Sequence, residues 1–297
     1  MAKFKSYLIA LRPWSFSASL TPVLLGNALA FNSNFSLAIL LLTLISALCV
    51  HGAGNLVNTY YDYKYGIDNE NTNSDRTLVD KLLKPHEITK LGVLLYFIGS
   101  ISFFILLFIS TAKEEILSFI YFGGLSLSFL YTGGVGFKYM ALGDLIIIIT
   151  FGPLTVLYSY LAQIGAMSQN LNSFDLYVKP LFFALPLVLN TEAILHSNNT
   201  RDLDNDRKSG IFTLAIYLGF TASYILYVLL IFVPYLVFLG ISLKMKNYVY
   251  LLPLITIRMA FDLEKDFRFR NLEHLPIKTA KLNLIFGIFY IVACFFA

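Results

Sequence analysis

The sequence predicts an all-α protein that crosses a membrane several times, and three observations support this fold class. Of its 297 residues, 57% are hydrophobic and only 13% are charged, whereas soluble domains carry about 25% charged residues. The mean hydropathy is +0.70. The apolar residues also come in long runs, and a membrane-spanning helix needs about 20 such residues. We therefore expect about nine transmembrane helices with short connections.

Nine apolar segments account for these predicted helices in chain order. The first is weak because serine and proline interrupt it, and the eighth is weak because it is short. The predicted spans are Phe16–Phe31, Leu37–Tyr60, Leu91–Ile109, Ile116–Tyr131, Leu142–Ile164, Pro180–Asn198, Phe220–Leu243, Tyr248–Phe261 and Leu282–Phe296.

Basic residues fall mainly on one side of this arrangement. With the N-terminus in the cytoplasm, only Lys113, Lys179, Lys244 and Lys246 lie on the opposite side, which leaves 18 of the 22 basic residues cytoplasmic. Membrane insertion retains positive charge in the cytoplasm, so the N-terminus and both acidic loops are predicted to be cytoplasmic. The pattern is compatible with an endoplasmic reticulum, Golgi or mitochondrial membrane in a eukaryote, or an inner membrane in a bacterium.

Composition also narrows the function classes. The net charge is +4, without a basic cluster interleaved with aromatic residues, so the lipid bilayer is an expected partner and nucleic acid is not. Cys49 and Cys294 lie in apolar runs and are interpreted as buried thiols. Residues 1–12 carry basic side chains without a convincing cleavage site, so no removable signal peptide is expected.

The second predicted span ends in a row of polar side chains. His51, Asn55, Asn58 and Asp62 follow one another at steps of four, three and four residues. On an α-helix these steps place the four side chains on one face. Such a face normally points into an internal cavity, because ionisable groups in contact with lipid are costly. His51 taken alone is equally well explained as a hydrogen-bonding contact between helices.

The sixth predicted span ends in a second polar row. Glu192, His196, Asn199, Asp202 and Asp206 follow at steps of four, three, three and four residues. This row also lies on one helical face and descends to the same membrane edge as the first. Two such rows are better explained by one shared cavity than by coincidence.

The spacing of the two rows suggests an internal repeat. Their acidic ends lie about 140 residues apart. We therefore interpret residues 1–297 as one domain with two four-helix units, at about 12–140 and 141–260, followed by a ninth helix at 282–296. Only the positions of the two rows support this division.

The acidic ends of both rows predict a metal site. Oxygen ligands suit Mg²⁺, with Mn²⁺ as an alternative, and Mg²⁺ usually binds through a few carboxylates together with substrate phosphates. The predicted metal ligands are Asn58, Asp62, Asp68, Asp202 and Asp206. Three further loop acids, Asp75, Asp80 and Glu87, are interpreted instead as solvated.

Basic and amide side chains near these acids predict an anionic ligand. Arginine and lysine hydrogen-bond strongly to phosphate oxygens and stabilise a departing negative charge. The predicted ligand-binding residues are Asn55, Arg76, Lys138, Asn199, Arg201, Arg207 and Lys208. The ligand is expected to place its anionic head at the membrane edge and its tail among the helices.

At these residues the sequence resembles the UbiA superfamily of intramembrane prenyltransferases. The segments NLVNTYYDYKYGID, from Asn55 to Asp68, and NNTRDLDNDRKSGIFTLAIYLG, from Asn198 to Gly219, are similar to the two Asn/Asp-rich motifs of the family. The segments from Leu11 to Ala30 and from Tyr131 to Asp144 are also similar. The likeness covers nearly the whole chain and is strongest to the menaquinone branch.

One position departs from the common family pattern. Many members have Asp directly after the second Asn of the first motif, and this chain has Thr59. Metal binding in this motif must then depend on Asn58, Asp62 and Asp68.

The resemblance implies a nine-helix bundle around a central cavity, with a cytoplasmic cap. It implies Mg²⁺-dependent transfer of an isoprenyl group from its diphosphate to a naphthoquinone-type ring in menaquinone (vitamin K2) synthesis. A geranylgeranyl group is the expected donor group, although the sequence does not fix the chain length. The predicted catalytic residues are Asp62, Asp202, Asp206 and His196, with Asp62 or His196 as the base that accepts the ring proton.

Other functions remain open from the sequence. Another quinone precursor, such as 4-hydroxybenzoate, is an alternative acceptor. A transporter or channel would need polar groups that reach both membrane faces, whereas here they converge on one. A membrane-bound regulator that binds prenyl lipid without turnover is a third alternative, and the four aspartates argue against a purely binding role.

Overall fold

A computed structural model of the chain describes residues 2–31, 35–70, 75–165, 167 and 171–296. These residues form α-helices joined by short 3-10, π-helical and irregular segments, which confirms the predicted all-α class. The α-helices are α1 (Ala2–Leu11), α2 (Ser17–Leu29), α3 (Leu37–Lys64), α4 (Pro85–Ile109), α5 (Glu114–Leu130), α6 (Gly143–Ile149), α7 (Thr155–Ile164), α8 (Lys179–Arg201), α9 (Leu203–Lys208), α10 (Leu214–Met245), α11 (Ile257–Arg268) and α12 (Leu275–Phe296).

Seven helical segments among the described residues are long and apolar enough to cross a membrane. They contain α2, α3, α4, α6 with α7, α8, α10 and α12. The predicted fourth span coincides with α5, which has 17 residues. The predicted eighth coincides with a 3-10 helix, Tyr248–Thr256, that continues into α11. The chain is therefore an integral membrane protein, and the count of nine spans stays a prediction, as does the division into two units.

Local sequence sets where several helices begin. The side-chain oxygen of Ser36 accepts a hydrogen bond from the backbone N–H of Ile39 at the start of α3. Thr213 caps α10 in the same way. Each cap pairs a backbone donor that the first helical turn would otherwise leave unpaired. At the start of α4, Glu87 accepts from the backbone N–H of Lys84.

Small residues let α2 lie close to its neighbours. A Cβ added at Gly26 would lie 2.4 Å from the carbonyl oxygen of Val156 in α7. On α12, a Cβ at Gly287 would lie 2.5 Å from the side chain of Thr21. Real Cβ atoms do not approach this closely, so glycine is required at both crossings. They hold α2 between α7 and α12.

The predicted fifth span is interrupted in its middle. A π-helical turn, Thr150–Leu154, separates α6 from α7 and contains Pro153. Proline lacks the N–H group that continues an α-helix and crowds the preceding turn, and π-turns often occur at functional sites. The interruption places Phe151 beside His51, with ring centroids 4.7 Å apart.

The helices form two packed regions, and α2 and α8 take part in both. On one side, α2, α3, α5, α6, α7 and α8 surround a cavity. On the other, α10, α11 and α12 pack against α2 and α8 through a buried apolar core. The largest fully buried aromatic side chains of that core are Tyr227, Phe238, Phe267, Phe286 and Tyr290. This second region packs against one face of α8, and another face of α8 lines the cavity.

Candidate active site

A cavity of about 230 Å³ lies between the helices that carry the two polar rows. α3 lines it from Ala47 to Asn58, a length of about 16 Å at the α-helical rise. The polar side chains at its mouth are Arg12, Asn55, Asn58, Lys138, Asn198 and Asn199. Deeper lining residues include Ile120, Leu125, Ile147, Leu154 and Tyr158. The cavity therefore fits a ligand with a polar head and an apolar tail.

Three of the four side chains of the first polar row face this cavity. His51, Asn55 and Asn58 all belong to its lining. The His51 ring lies between two hydroxyl groups, with Nδ1 2.7 Å from Ser19 and Nε2 3.2 Å from Ser15. His51 therefore both contacts a neighbouring helix and faces the cavity, so the two interpretations from the sequence hold together.

Asp62 ends the first row and is buried. Lys138 Nζ donates to its Oδ2 at 2.7 Å, and the Tyr139 hydroxyl donates to its Oδ1 at 2.8 Å. The structure thus brings Lys138, predicted as a ligand-binding residue, into a buried ion pair with a predicted metal ligand. Asp68 is also buried, and its backbone N–H donates to the carbonyl oxygen of Asp62.

The segment that carries Lys138 joins the two motifs. The backbone N–H of Ala141 donates to the carbonyl oxygen of Phe212 at 2.7 Å, just beyond α9. The pKa of Lys138 is raised overall. Burial alone would lower it, but the carboxylate of Asp62, followed by those of Asp206 and Asp68, raises it. Carboxylates from both motifs therefore surround one lysine.

Asp206 lies in the most acidic part of this site and is buried. Burial raises its pKa to about 7, and the carboxylates of Asp202 and Asp62 add to the shift against the opposing effect of Lys138. Burial is the largest cause of this shift, and the neighbouring carboxylates act in the same direction.

Asp202 stands at the break between α8 and α9. Arg201 binds it with two hydrogen bonds, at 2.8 and 2.6 Å, and also donates to Asn198, which lines the cavity. Asn199 is buried and belongs to the same lining. The neighbouring Asp204 is exposed. The end of α8 thus brings Asn198, Asn199, Arg201 and Asp202 together.

Three predicted ligand-binding residues lie away from the cavity. Arg76 binds Asp80 and the carbonyl oxygen of Glu70 on the surface. Arg207 and Lys208 are exposed on α9. Their prediction relied on closeness in sequence, which does not fix side-chain direction, so this arrangement does not support direct contacts with a ligand in the cavity.

His196 does not face the cavity either. Its Nε2 atom lies 3.1 Å from the carbonyl oxygen of Ser223 in α10, and the side chain is fully buried. The cavity is lined instead by Leu195 and Asn199 of the same helix. His196 therefore cannot take a proton directly from a ligand there, contrary to its predicted catalytic role.

Two site residues were missed or misread from the sequence. Arg12 lines the cavity and donates hydrogen bonds to Asn58 at 3.1 Å and to Asp75 at 3.0 Å. Its backbone adopts the left-handed conformation, with φ 51°. Asp75 is not solvated as predicted, because its side chain is only 5% exposed. It also accepts a hydrogen bond from Thr59 at 2.6 Å. The one sequence signal for Arg12 was a charged residue directly before Pro13, just ahead of the first predicted span.

The Asp75 contacts predict a measurable effect on stability. Burial alone would raise the pKa of Asp75, but Arg12 and the donors of Thr59 and Thr77 lower it to about 2, below the ordinary value of 3.8. We expect Asp75→Asn to destabilise the fold by about 2 kcal/mol at neutral pH. Thermal unfolding in detergent, followed by Trp14 fluorescence, measures this loss.

The sign of the pH dependence follows from the lowered pKa. Ionised Asp75 stabilises the folded state above about pH 4, and this contribution disappears as the pH falls towards about 2. The difference between the unchanged protein and Asp75→Asn should therefore shrink over that range. Asp80→Asn is the matched control, since exposed ion pairs stabilise little. An equal loss in both variants would contradict a specific role for Asp75.

Comparisons with known proteins reveal full-length relatives of the chain. The model of the UbiA prenyltransferase family matches residues 19–295. The zebrafish UbiA prenyltransferase domain-containing protein 1 is 53% identical over 98% of this chain and 84% of its own length. The human protein of that name is 54% identical over 97% of this chain and 83% of its own length. The Drosophila melanogaster homologue is 54% identical over 98% of this chain and 80% of its own length.

Solved structures show the same fold. The apo structure of a UbiA homologue from Aeropyrum pernix has a TM-score of 0.69 at 16% identity and covers 93% of this chain and 97% of its own. A homologue from Archaeoglobus fulgidus bound to GPP and Mg²⁺ has a TM-score of 0.60 at 16% identity. It covers 98% of this chain and 100% of its own. Together with the near full-length family match, these likenesses show that the chain is an integral membrane enzyme of the UbiA prenyltransferase family.

Proposed function

We propose that the protein transfers a geranylgeranyl group from its diphosphate to a naphthoquinone-type ring, used in its reduced form, in menaquinone synthesis. The observation that carries this proposal is the cavity, which joins a mouth of basic and amide side chains to an apolar channel along α3, with Asp62 bound to the mouth residue Lys138. Prenyl diphosphates have the same division between an anionic head and an apolar tail. The naphthoquinone-type acceptor rests on resemblance to the menaquinone branch.

The residues at the mouth fit Mg²⁺. Asp62, Asp68, Asp202 and Asp206 supply four carboxylates, whereas Lys138 and Arg201 supply two positive charges in direct contact with them. After burial, the carboxylates of Asp202 and Asp62 contribute to the raised pKa of Asp206. A divalent cation with oxygen ligands would balance the remaining negative charge. Asn58 offers an amide oxygen beside them.

The remaining roles follow from the positions of the side chains. Bound Mg²⁺ would supply charge stabilisation for the diphosphate as it leaves. Lys138 and Arg12 present donors at the mouth for its oxygens. Below them, Phe151, Tyr121 and Tyr158 line the channel, where aromatic faces stabilise positive charge on the allylic carbon and exclude water.

Two other functions make different predictions. A transporter would move ions or lipid without a prenylated product, and a regulator would bind the diphosphate without consuming it. Among quinone precursors, 4-hydroxybenzoate differs from naphthoquinones by having one ring in place of two. One assay with several acceptors separates these alternatives.

We expect the reconstituted protein to prenylate a reduced naphthoquinone when given labelled geranylgeranyl diphosphate and Mg²⁺. Chelator should abolish turnover, because the proposed ligands are carboxylates and amides, and Mg²⁺ or Mn²⁺ should restore it. Chromatography of the labelled lipid measures the product. Full turnover in chelator, or rescue by Zn²⁺ alone, would contradict the metal assignment, and product with 4-hydroxybenzoate alone would contradict the acceptor.

We also propose that the mouth of the cavity faces the cytoplasm. The motivation is the excess of basic residues on that side of the chain, 18 of 22. A cysteine placed at exposed position 204 should be labelled by an impermeant reagent only from the cytoplasmic side of sealed vesicles. Labelling only from the other side would reverse the orientation.

A further inference from the structure

Three ionisable side chains meet on a side of α8 that does not line the cavity. Asp144 of α6 and Glu192 and His196 of α8 each place one carboxylate or imidazole atom within 4.8 Å of the others. Their exposed fractions are 5%, 2% and 0%. We call Asp144, Glu192 and His196 the buried acid cluster.

Hydrogen bonding leaves one ring nitrogen of the histidine directed at this cluster. A carbonyl oxygen can only accept, so His196 Nε2 carries the hydrogen that it donates to Ser223 at 3.1 Å. Nδ1 lies 3.9 Å from Asp144 Oδ1, which is too far for a hydrogen bond between them. A histidine that binds a metal through one nitrogen usually donates its other N–H to a carbonyl or carboxylate oxygen. His196 has this arrangement, with Nδ1 left to bind.

Four acceptor atoms of the cluster have no hydrogen-bond partner among the described residues. They are His196 Nδ1, Asp144 Oδ1 and both carboxylate oxygens of Glu192. Buried polar atoms are nearly always paired with protein or water, so four such atoms in one place require an explanation. Zn²⁺ usually takes four ligands in a structural site, which is the number of acceptor atoms left free here.

The charge of the cluster also favours a divalent cation. Two ionised carboxylates without a positive partner are expensive to bury. Within the described part of the chain, the one ion pair of this cluster is between Asp144 and His196. Since a histidine that binds a metal is uncharged, two carboxylates and one divalent cation together are neutral.

The donor atoms favour a transition metal over Mg²⁺. Mg²⁺ prefers oxygen ligands and keeps several of its waters, whereas this cluster is closed and includes an imidazole nitrogen. Nitrogen and carboxylate oxygen bind Zn²⁺ at about 2.0–2.2 Å, so tetrahedral ligands lie about 3.4 Å apart. The three side chains must therefore approach one another by roughly 0.5–1.5 Å, a movement that small side-chain rotations supply.

We propose that the buried acid cluster binds one Zn²⁺ ion, in a structural metal site separate from the Mg²⁺ site proposed at the mouth of the cavity. The ion joins α6 to α8, and the carbonyl group of Ser223 in α10 orients the histidine ring. α6 continues into the turn that carries Phe151, and α8 ends at the mouth of the cavity. The metal thus holds together two elements that line the cavity, and no substrate has to touch it.

Metal analysis of the purified full chain tests this proposal. The protein is purified in detergent without a metal-affinity step and is washed briefly with chelator, which strips an open site but not one closed to solvent. Mass spectrometry should find about one zinc ion per chain. Glu192→Gln and Asp144→Asn should lower this content by about tenfold or more, because each removes a charged ligand.

Asp206→Asn is the matched control, because it removes a buried carboxylate from the other proposed metal site. This variant should keep its zinc. X-ray absorption of the zinc in the unchanged protein decides the question if neither cluster variant folds. It should show one imidazole and oxygen ligands without sulfur, as the cluster supplies.

Four results would overturn the proposal. Less than about a tenth of a zinc ion per folded chain would leave a shared proton as the means of neutralising the two carboxylates. Zinc that the brief chelator wash removes would be an adventitious ion only. Zinc that persists in folded Glu192→Gln and Asp144→Asn, or that disappears in Asp206→Asn, would belong elsewhere in the chain. Sulfur or a second imidazole among the zinc ligands would have the same meaning.

These measurements use no substrate. Their outcome is therefore independent of the proposed prenyl transfer, which could fail while the zinc site is confirmed, or succeed while it is overturned.

Discussion

Asp206→Asn is expected to reduce prenyl transfer about a thousandfold while the protein remains folded. Asparagine keeps the shape of the side chain but removes the negative charge that would hold Mg²⁺. Loss of a charged metal ligand should cost several kcal/mol of transition-state stabilisation, and about 1.4 kcal/mol corresponds to each tenfold in rate. Because Asp206 is buried among other carboxylates, removal of its charge should not destabilise the empty site.

The neighbouring aspartates give a matched comparison. Asp202→Asn should cause a loss of similar size, since Asp202 lies at the end of α8 with Arg201 and Asn198. Asp204→Asn removes the same charge from the same short segment, but its side chain is exposed. Its loss should stay below about tenfold.

Initial rates with labelled geranylgeranyl diphosphate measure all three variants. Size-exclusion chromatography in detergent checks that each is folded. Equal losses in the three variants would point to the general charge of the segment. Near-normal turnover in both Asp202→Asn and Asp206→Asn would remove this motif from the metal site.

The first polar row could be predicted from spacing because α3 is continuous. His51, Asn55, Asn58 and Asp62 lie on one uninterrupted helix that ends only at Lys64. The helical period alone then sets their relative directions. The cavity occupies the direction of His51, Asn55 and Asn58, which line it, whereas Asp62 lies outside that lining and binds Lys138.

The second row shows what spacing leaves open. Helical steps fix the directions of side chains relative to one another, but they do not say which neighbour stands opposite each one. Glu192 and His196 turn towards α6 and α10, whereas Asn199 faces the cavity. The row therefore divides between two environments, a functional cavity and a buried acid cluster.

Basic residues were the least predictable part of the site. Arg76, Arg207 and Lys208 are close in sequence to the acidic motifs, yet long side chains there turn to the surface. Arg12 reaches Asn58 across 46 residues and Asp75 across 63. Such contacts depend on how separate helices pack, and neither composition nor periodicity contains that information.

The buried ion pair between Asp62 and Lys138 allows stability to be separated from chemistry. Lys138→Met should destabilise the protein by about 3 kcal/mol or more, because it leaves a buried carboxylate without its partner. Asp62→Asn should also destabilise it, since Lys138 would lose its hydrogen-bonded carboxylate and keep only the weaker influence of Asp206 and Asp68. Thermal unfolding in detergent measures both losses.

The double variant Asp62→Asn with Lys138→Met should recover much of this stability, because neither side chain then remains as an unpaired buried charge. Tyr139 can still donate to the asparagine oxygen as it does to Asp62. Prenyl transfer should nevertheless stay reduced by about a thousandfold, because the proposed metal ligand and the lysine at the mouth are both absent. The second substitution should therefore restore stability without restoring activity. Recovery of transfer together with stability would mean that Asp62 serves only to balance Lys138, and its assignment as a metal ligand would have to be abandoned.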